Sequence, residues 1–155
     1  MRPDATILTV GHGYRRRPYR PGDERGLNLR PDFAAQWVAD PGLPEGPIWS
    51  LERTTSTGAL TVLGVGGLTR GDDGIWTLWG LSGDLDSRGW AAVRVFARHT
   101  LAWAERALNS WTIRALAPAN RPEAASLLAR LGFEVEGSGE LSDGTLARIM
   151  MRGRD

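Results

Sequence analysis

The residues able to carry chemistry in this chain are few and widely spread. There is no cysteine and no lysine, and all 19 basic side chains are arginine. That excludes a thiol nucleophile, a disulfide framework and Schiff-base chemistry. The two histidines, His12 and His99, stand far apart among scattered carboxylates, so no metal-ligand spacing is present and no metal is expected. The segment with the clearest chemical pattern is Asp86-Ser87-Arg88-Gly89-Trp90-Ala91, at the start of a long amphipathic stretch. A helix N-terminus there would present unpaired amides and a positive dipole end to a phosphate, with Arg88 as an added cation. Asp84 and Asp86 oppose that reading, and Asp86 or Ser87 serving as a plain helix cap is the alternative.

The elements that must position these residues follow from periodicity and breakers. Residues 6–10 form a short apolar run suited to a strand, and 27–40 a helix carrying Leu29, Phe33 and Trp37. Strands are predicted at 48–54, 60–69 and 75–81, the last two joined by a tight hairpin at GDDG, 71–74. A helix is predicted over 87–108, with Val93, Phe96, Ala97, Thr100, Leu101, Ala104 and Leu108 on one stripe. A strand at 111–117, a helix, and two strands at 134–137 and 145–152 complete a mixed α/β order without strict alternation. One domain over residues 1–155 is the natural organisation for this length.

The most diagnostic stretch is NRPEAASLLARLGF, residues 120–133. Ala124, Leu127, Leu128 and Leu131 make an apolar face, and Pro122 suits a first helical turn. Asn120 sits where a cap would, and Gly132 can take the left-handed conformation that ends a helix. This pattern, with the element order, resembles the GNAT superfamily, the GCN5-related N-acetyltransferases, best from Ile48 onward. The resemblance implies a central, mostly antiparallel sheet flanked by helices and splayed between the strands at 75–81 and 111–117. The pantetheine arm of acetyl-CoA would lie in that wedge, and the acceptor would be an amine. Tyr19-Arg20-Pro21-Gly22-Asp23 resembles the first strand-to-helix junction of such proteins, so the first family strand is centred near Ile7 or near Tyr19.

The resemblance also assigns roles. Arg88, Gly89, Trp90 and Ala91 match the phosphate signature, with Gly89 and Ala91 at its small positions and Asp86 where the family has Gln or Arg. Leu81 or Ser82 would offer a backbone amide to the thioester carbonyl, and Asn120 would contact coenzyme A. Ser82 is also a candidate catalytic donor or acceptor. Glu52 is the first choice for general base, against a solvated strand carboxylate. The family's thiolate-protonating tyrosine falls on Leu128, and the only tyrosines are Tyr14 and Tyr19.

These departures leave two readings. One is an N-acyltransferase using acetyl-CoA. The other is a catalytically degenerate GNAT-like structural or interaction protein with assembly partners, similar in outline to GNAT-like proteins of tailed bacteriophages. The expected location is the cytoplasm, or a virion on the second reading. Near-neutral net charge argues against nucleic-acid binding, and no apolar run is long enough for a membrane span. A basic arm around 11–26 carries Arg15, Arg16, Arg17 and Arg20 interleaved with Tyr14 and Tyr19, a pattern able to touch phosphate or RNA, or else to be solvated or docked on an acidic partner.

Overall fold

The computed structural model describes residues 3–29, 34, 42–141 and 143–153. Of the helix expected at 27–40, residues 27–29 are not helical, with Leu27 extended and Leu29 in an isolated bridge to Gly83, Ala34 is helical, and the rest lies outside the described residues. The described chain forms one eight-stranded sheet, in the order β1-β2-β3-β4-β5-β6-β8-β7. Its strands are β1 (Leu8–Gly11), β2 (Tyr14–Pro18), β3 (Ile48–Thr54), β4 (Leu60–Arg70), β5 (Trp76–Ser82), β6 (Ile113–Pro118), β7 (Glu134–Glu140) and β8 (Leu146–Arg152). All neighbours are antiparallel except β5 and β6, which run parallel because helix α1 (Ser87–Ala107) connects them. Helix α2 (Pro122–Arg130) follows β6, and a short 3-10 turn spans Asp23–Gly26.

The predicted stripe of α1 is the face that packs. Phe96, Ala97, Leu101 and Ala104 join Trp49, Leu51, Leu68, Ile113 and Ala115 from the strands in one core. Trp49 meets Trp103 edge-on, with ring centroids 4.9 Å apart. Helix α2 adds Leu128 and Leu131 to the same core. It ends as its sequence requires: Gly132 has φ 93°, the Gly132 amide donates to the Ala129 carbonyl, and the Phe133 amide donates to Leu128 at 3.0 Å. The GDDG hairpin forms between β4 and β5, with Gly74 at φ 81°. Among the described residues no helix is long and apolar enough to cross a membrane.

The basic stretch is not a solvated arm. Residues 14–18 form β2, an interior strand between β1 and β3, and both candidate positions for the first strand prove to be strands or flank one. Alternation sends Tyr14 and Arg16 to the core face and Arg15 and Arg17 to the other. Arg16 is only 1% exposed. Its guanidinium lies 4.1 Å from the Trp49 ring centroid and 5.5 Å from that of Phe96, and its Nε donates to the Thr100 hydroxyl at 3.3 Å. Burial, partly offset by the charge of Asp4 and reinforced by Arg106, lowers its pKa to about 10, so it stays charged at neutral pH.

Candidate active site: a splayed wedge and an interhelical groove

Pairing between β5 and β6 covers three positions, Trp76 with Ile113, Thr77 with Arg114 and Leu78 with Ala115. Beyond Leu78 the two strands are no longer paired, while β5 stays hydrogen-bonded to β4 and β6 to β8 on their outer sides. The divergence opens a wedge-shaped cavity of about 210 Å³. Trp79, Gly80, Leu81 and Ser82 line one wall and Leu116 and Pro118 the other, with α1 contributing Trp90, Val93 and Phe96 and α2 contributing Leu127 and Leu128. The wall of β5 facing the gap is a strand edge, able to exchange backbone hydrogen bonds with an extended ligand.

The polar groups in this apolar wedge are few. Ser82 is the hydroxyl among its described lining residues, and it is buried. The indole Nε1 of Trp79 is buried with no hydrogen-bond partner among the described residues. Arg121 is buried beside the wedge, its Nε donating to Glu123 at 3.1 Å and its guanidinium 5.7 Å from the Trp90 ring centroid. Leu128 fills the expected tyrosine position and offers no proton.

A second cavity continues from the first, sharing Trp90, Glu123 and Leu127 with it. It is a groove between the helices, lined by 87, 90, 91 and 94 of α1 and by 123, 126, 127 and 130 of α2. Both sets follow i, i+3, i+4, i+7 spacing, so one face of each helix forms one wall. Two cations, Arg94 and Arg130, and two hydroxyls, Ser87 and Ser126, lie in it.

The structure divides the expected site residues. Leu81, Ser82 and Trp90 reach the wedge, and Ala91 reaches the groove. Arg88 is exposed and lines neither cavity. Gly89 is buried beneath the preceding loop: a Cβ there would stand 3.0 Å from the Leu85 Cβ. Its amide is already taken, donating to the Asp86 carboxylate at 2.8 Å in an ordinary N-cap. Asn120 is exposed and caps nothing; Arg121 is the N-cap residue of α2 and its neighbour in the wedge.

Glu52 is not at the wedge. It lies on β3, 3% exposed, with Oε1 2.6 Å from the Arg15 Nε and Oε2 2.6 Å from the Arg17 Nε. Arg17 also grips Asp23 through both terminal nitrogens, at 2.8 and 3.1 Å, and Ser50 donates to Asp23 at 2.7 Å. Burial alone would raise the Glu52 carboxyl, but bonds and charge from Arg17 and Arg15 outweigh it and hold the group below the ordinary carboxylate range. A carboxylate so bound is a poor proton acceptor. Glu52 is not a solvated strand residue; it closes a buried ion-pair network, an environment that does not favour the general-base role. His99 also lies off the wedge, its pKa lowered by burial and by the charges of Arg16, Arg98 and Arg106. Among the described residues no group of three potential ligands is placed to hold a metal.

Comparison with solved structures bears on this architecture. A ribosomal-protein-S5-alanine acetyltransferase from Vibrio fischeri superposes with a TM-score of 0.67 at 14% identity, covering 97% of each chain. The chain has the GNAT acetyltransferase fold. A GCN5-related N-acetyltransferase from Kribbella flavida matches with a TM-score of 0.63 at 19% identity, over 92% of this chain and 99% of its own. A variant spermidine N-acetyltransferase from Vibrio cholerae gives 0.59 at 13% identity, over 90% and 93%. By sequence, no family model and no curated protein matches the chain. The wedge between β5 and β6 is therefore the divergence expected of a GNAT sheet, and the groove between α1 and α2 adjoins it.

Three of the residues that shape this site, Arg94, Arg130 and Trp79, escaped sequence reasoning. The signal for the first two was present: Arg94 stands four residues after Trp90 and Arg130 four after Ser126, each continuing a helix face. That the two faces oppose one another is a tertiary fact.

Proposed function

We propose that this chain is an N-acyltransferase that takes an acetyl group from acetyl-CoA and delivers it to an amine. The observation that supports this reading best is the end of β5–β6 pairing at Leu78 and Ala115, which leaves an apolar wedge running into a cationic groove. Among the described residues the Trp79 indole N–H at the wedge has no hydrogen-bond partner, and Arg94 and Arg130 line the groove, which suits a ligand with carbonyl oxygens along one part and phosphates along another. When bound, acetyl-CoA supplies the acyl group as an activated thioester.

The chain's own groups then have limited work. The free edge of β5 aligns an extended arm and offers backbone amides toward a carbonyl. Ser82, buried against the wedge, is the hydroxyl placed to pass a proton there. Among its described lining residues the wedge holds no histidine and one carboxylate, Glu123, which is bound by Arg121. The acceptor is accordingly an amine that arrives deprotonated from solution. Among structural neighbours, one is named for a ribosomal protein alanine and another for spermidine, which supports an amine as acceptor class.

A second reading, a GNAT-fold interaction protein without chemistry, draws on Leu128 in the proton-donor position and on Asp86 at the head of α1. Calorimetric titration with acetyl-CoA and amine-dependent release of free thiol separate the two. Binding with turnover supports the enzyme. No binding at millimolar acetyl-CoA would sink it and leave the interaction protein.

A further inference from the structure

The wedge cavity does not stop at β5. Its lining crosses Gly64 and Gly66 of β4 and reaches Leu51 of β3, and on the helix side it includes Phe96 and Ala97 of α1. With neighbouring strands about 4.8 Å apart, Leu51 stands roughly 10 Å from β5. A cavity made only by the parting of β5 and β6 would end at those two strands.

The strand register explains the extension. Ser82, Gly64 and Leu51 lie on one rung across β5, β4 and β3, and Gly80, Gly66 and Trp49 lie on the next rung of the same face. That face packs on α1, since Trp49 and Leu51 share a core with Phe96 and Ala97. Strand side chains normally fill the space beneath a helix, but three of these six positions are glycine and a fourth is serine. At Gly66 an added Cβ would stand 3.0 Å from the Trp79 carbonyl oxygen and 3.3 Å from the Phe96 ring, so the Phe96 ring lies directly on the bare backbone. At Gly80 the nearest atom is the Val65 carbonyl oxygen, at 3.7 Å, and the space is open. The result is a side chamber under α1 with Leu51 and Phe96 in its walls.

This chamber is apolar. Arg16 continues the rung beyond Leu51 but does not line the cavity; its guanidinium is held over Trp49 and Phe96 and its Nε donates to Thr100. The charged residues among the described lining, Arg121 and Glu123, lie at the α2 end. The charged part of a ligand therefore leaves toward α2, and its uncharged end faces the chamber.

We propose that the acyl-coenzyme A used by this chain carries a saturated chain longer than acetyl, of the propionyl or butyryl class, received in the chamber under α1. This rests on the acyl-CoA reading above and specifies its donor. On transfer the carbonyl carbon exchanges its bond to sulfur for one to the amine nitrogen, and the proton that the amine loses ends on the coenzyme A thiol. An acetyl methyl leaves the chamber unfilled, whereas each methylene buried there raises affinity about fourfold. A succinyl group finds no cation in the chamber and carries a charge that burial disfavours.

The test is calorimetry on the full chain with acetyl-, propionyl-, butyryl-, hexanoyl- and succinyl-coenzyme A. Affinity should climb about fourfold per methylene from acetyl to butyryl, and succinyl should bind no more tightly than acetyl. Ala97→Val narrows the chamber and should lower the butyryl-to-acetyl affinity ratio by about tenfold. Leu51→Ala widens it and should raise the hexanoyl-to-butyryl ratio by about fourfold. Each ratio is taken within one protein, so a smaller folded fraction does not move it, and the wild-type series decides by itself where a variant does not fold. Acetyl-coenzyme A binding with a flat or falling series up to butyryl would overturn the proposal and leave the acyl-CoA reading standing. A rise that neither variant alters would overturn it too, since the chain would then lie outside the chamber. If no acyl-coenzyme A binds at millimolar concentration, the acyl-CoA reading fails and the donor assignment fails with it.

Discussion

Leu78 of β5 and Ala115 of β6 form the last rung that joins the two halves of the sheet. On one side of this rung the strands are hydrogen-bonded; on the other they part around the wedge. Filling the gap just past the rung should block the site without disturbing the sheet. Gly80 is the place to do so, because an added Cβ there meets only the Val65 carbonyl, at an ordinary 3.7 Å. Gly80→Val should keep its melting temperature or raise it slightly, since valine suits a strand better than glycine does. Affinity for acetyl-CoA should fall by more than about tenfold, as a branched side chain occupies ligand space. Unchanged binding in a well-folded variant would show that the ligand does not use the wedge.

Leu128 lines the wedge and stands where the family resemblance expects the thiolate-protonating tyrosine. Leu128→Tyr should raise the turnover of acetyl-CoA by about tenfold to a hundredfold if that protonation limits the rate, the usual scale of general-acid help. The larger ring should cost about 1–3 kcal/mol of stability by overpacking. Thiol-release kinetics alongside urea unfolding give both numbers. A stable, ligand-binding variant with no gain in rate would place the slow step elsewhere.

With Glu52 held by Arg15 and Arg17 and no histidine among the described residues that line the wedge, the amine is expected to lose its proton before it reaches the site. For a simple alkylamine acceptor, kcat/KM should therefore climb about tenfold per pH unit up to the acceptor's own pKa, because only the free amine reacts. Changing to an acceptor of lower pKa should move the plateau by the same amount. A plateau near neutral pH that ignores the acceptor's pKa would reveal a base in the protein.

The same network makes a stability prediction. Asp23 and Glu52 both have folded-state pKa values below their ordinary ones, burial being outweighed by their arginine partners. A depressed carboxylate stabilises the fold above its unfolded pKa, and that stability is lost as pH falls through the folded value. Thermal stability should thus be flat near neutrality and drop once the pH falls below about 4, the unfolded carboxylate range. Glu52→Gln should cost roughly 3 kcal/mol at pH 7, the scale for breaking a buried ion pair. Activity per folded molecule should be preserved. An activity loss far beyond the unfolded fraction would restore Glu52 to catalysis.

At the head of α1, Asp86→Ala should cost about 1 kcal/mol through loss of the cap on the Gly89 amide, and Asp86→Asn should restore most of it. Chemical denaturation of the three proteins checks this. Equal stability in all three would mean that the carboxylate is not needed as a cap.

What the sequence determined by itself was local. Leu127, Leu128 and Leu131 with Pro122 and Gly132 specified helix α2 and its left-handed stop, because such signals act within one or two turns. The same held for the packing stripe of α1, for β3 and for the GDDG hairpin. Asp86 as a cap was also legible, since an N-cap is defined by its own next three residues.

Only the tertiary structure decided the fate of the charges. Arg15, Arg16 and Arg17 look solvated in sequence, yet they lie in an interior strand because partners far along the chain receive them: Glu52 is 37 residues from Arg15, and Thr100 is 84 from Arg16. Whether a carboxylate is a base or a pinned counter-ion depends on those neighbours, which no short window contains. The wedge and groove belong to the same class. Each strand and each helix face was visible alone, but where two strands part, and which helix face opposes which, follows from packing across the whole core.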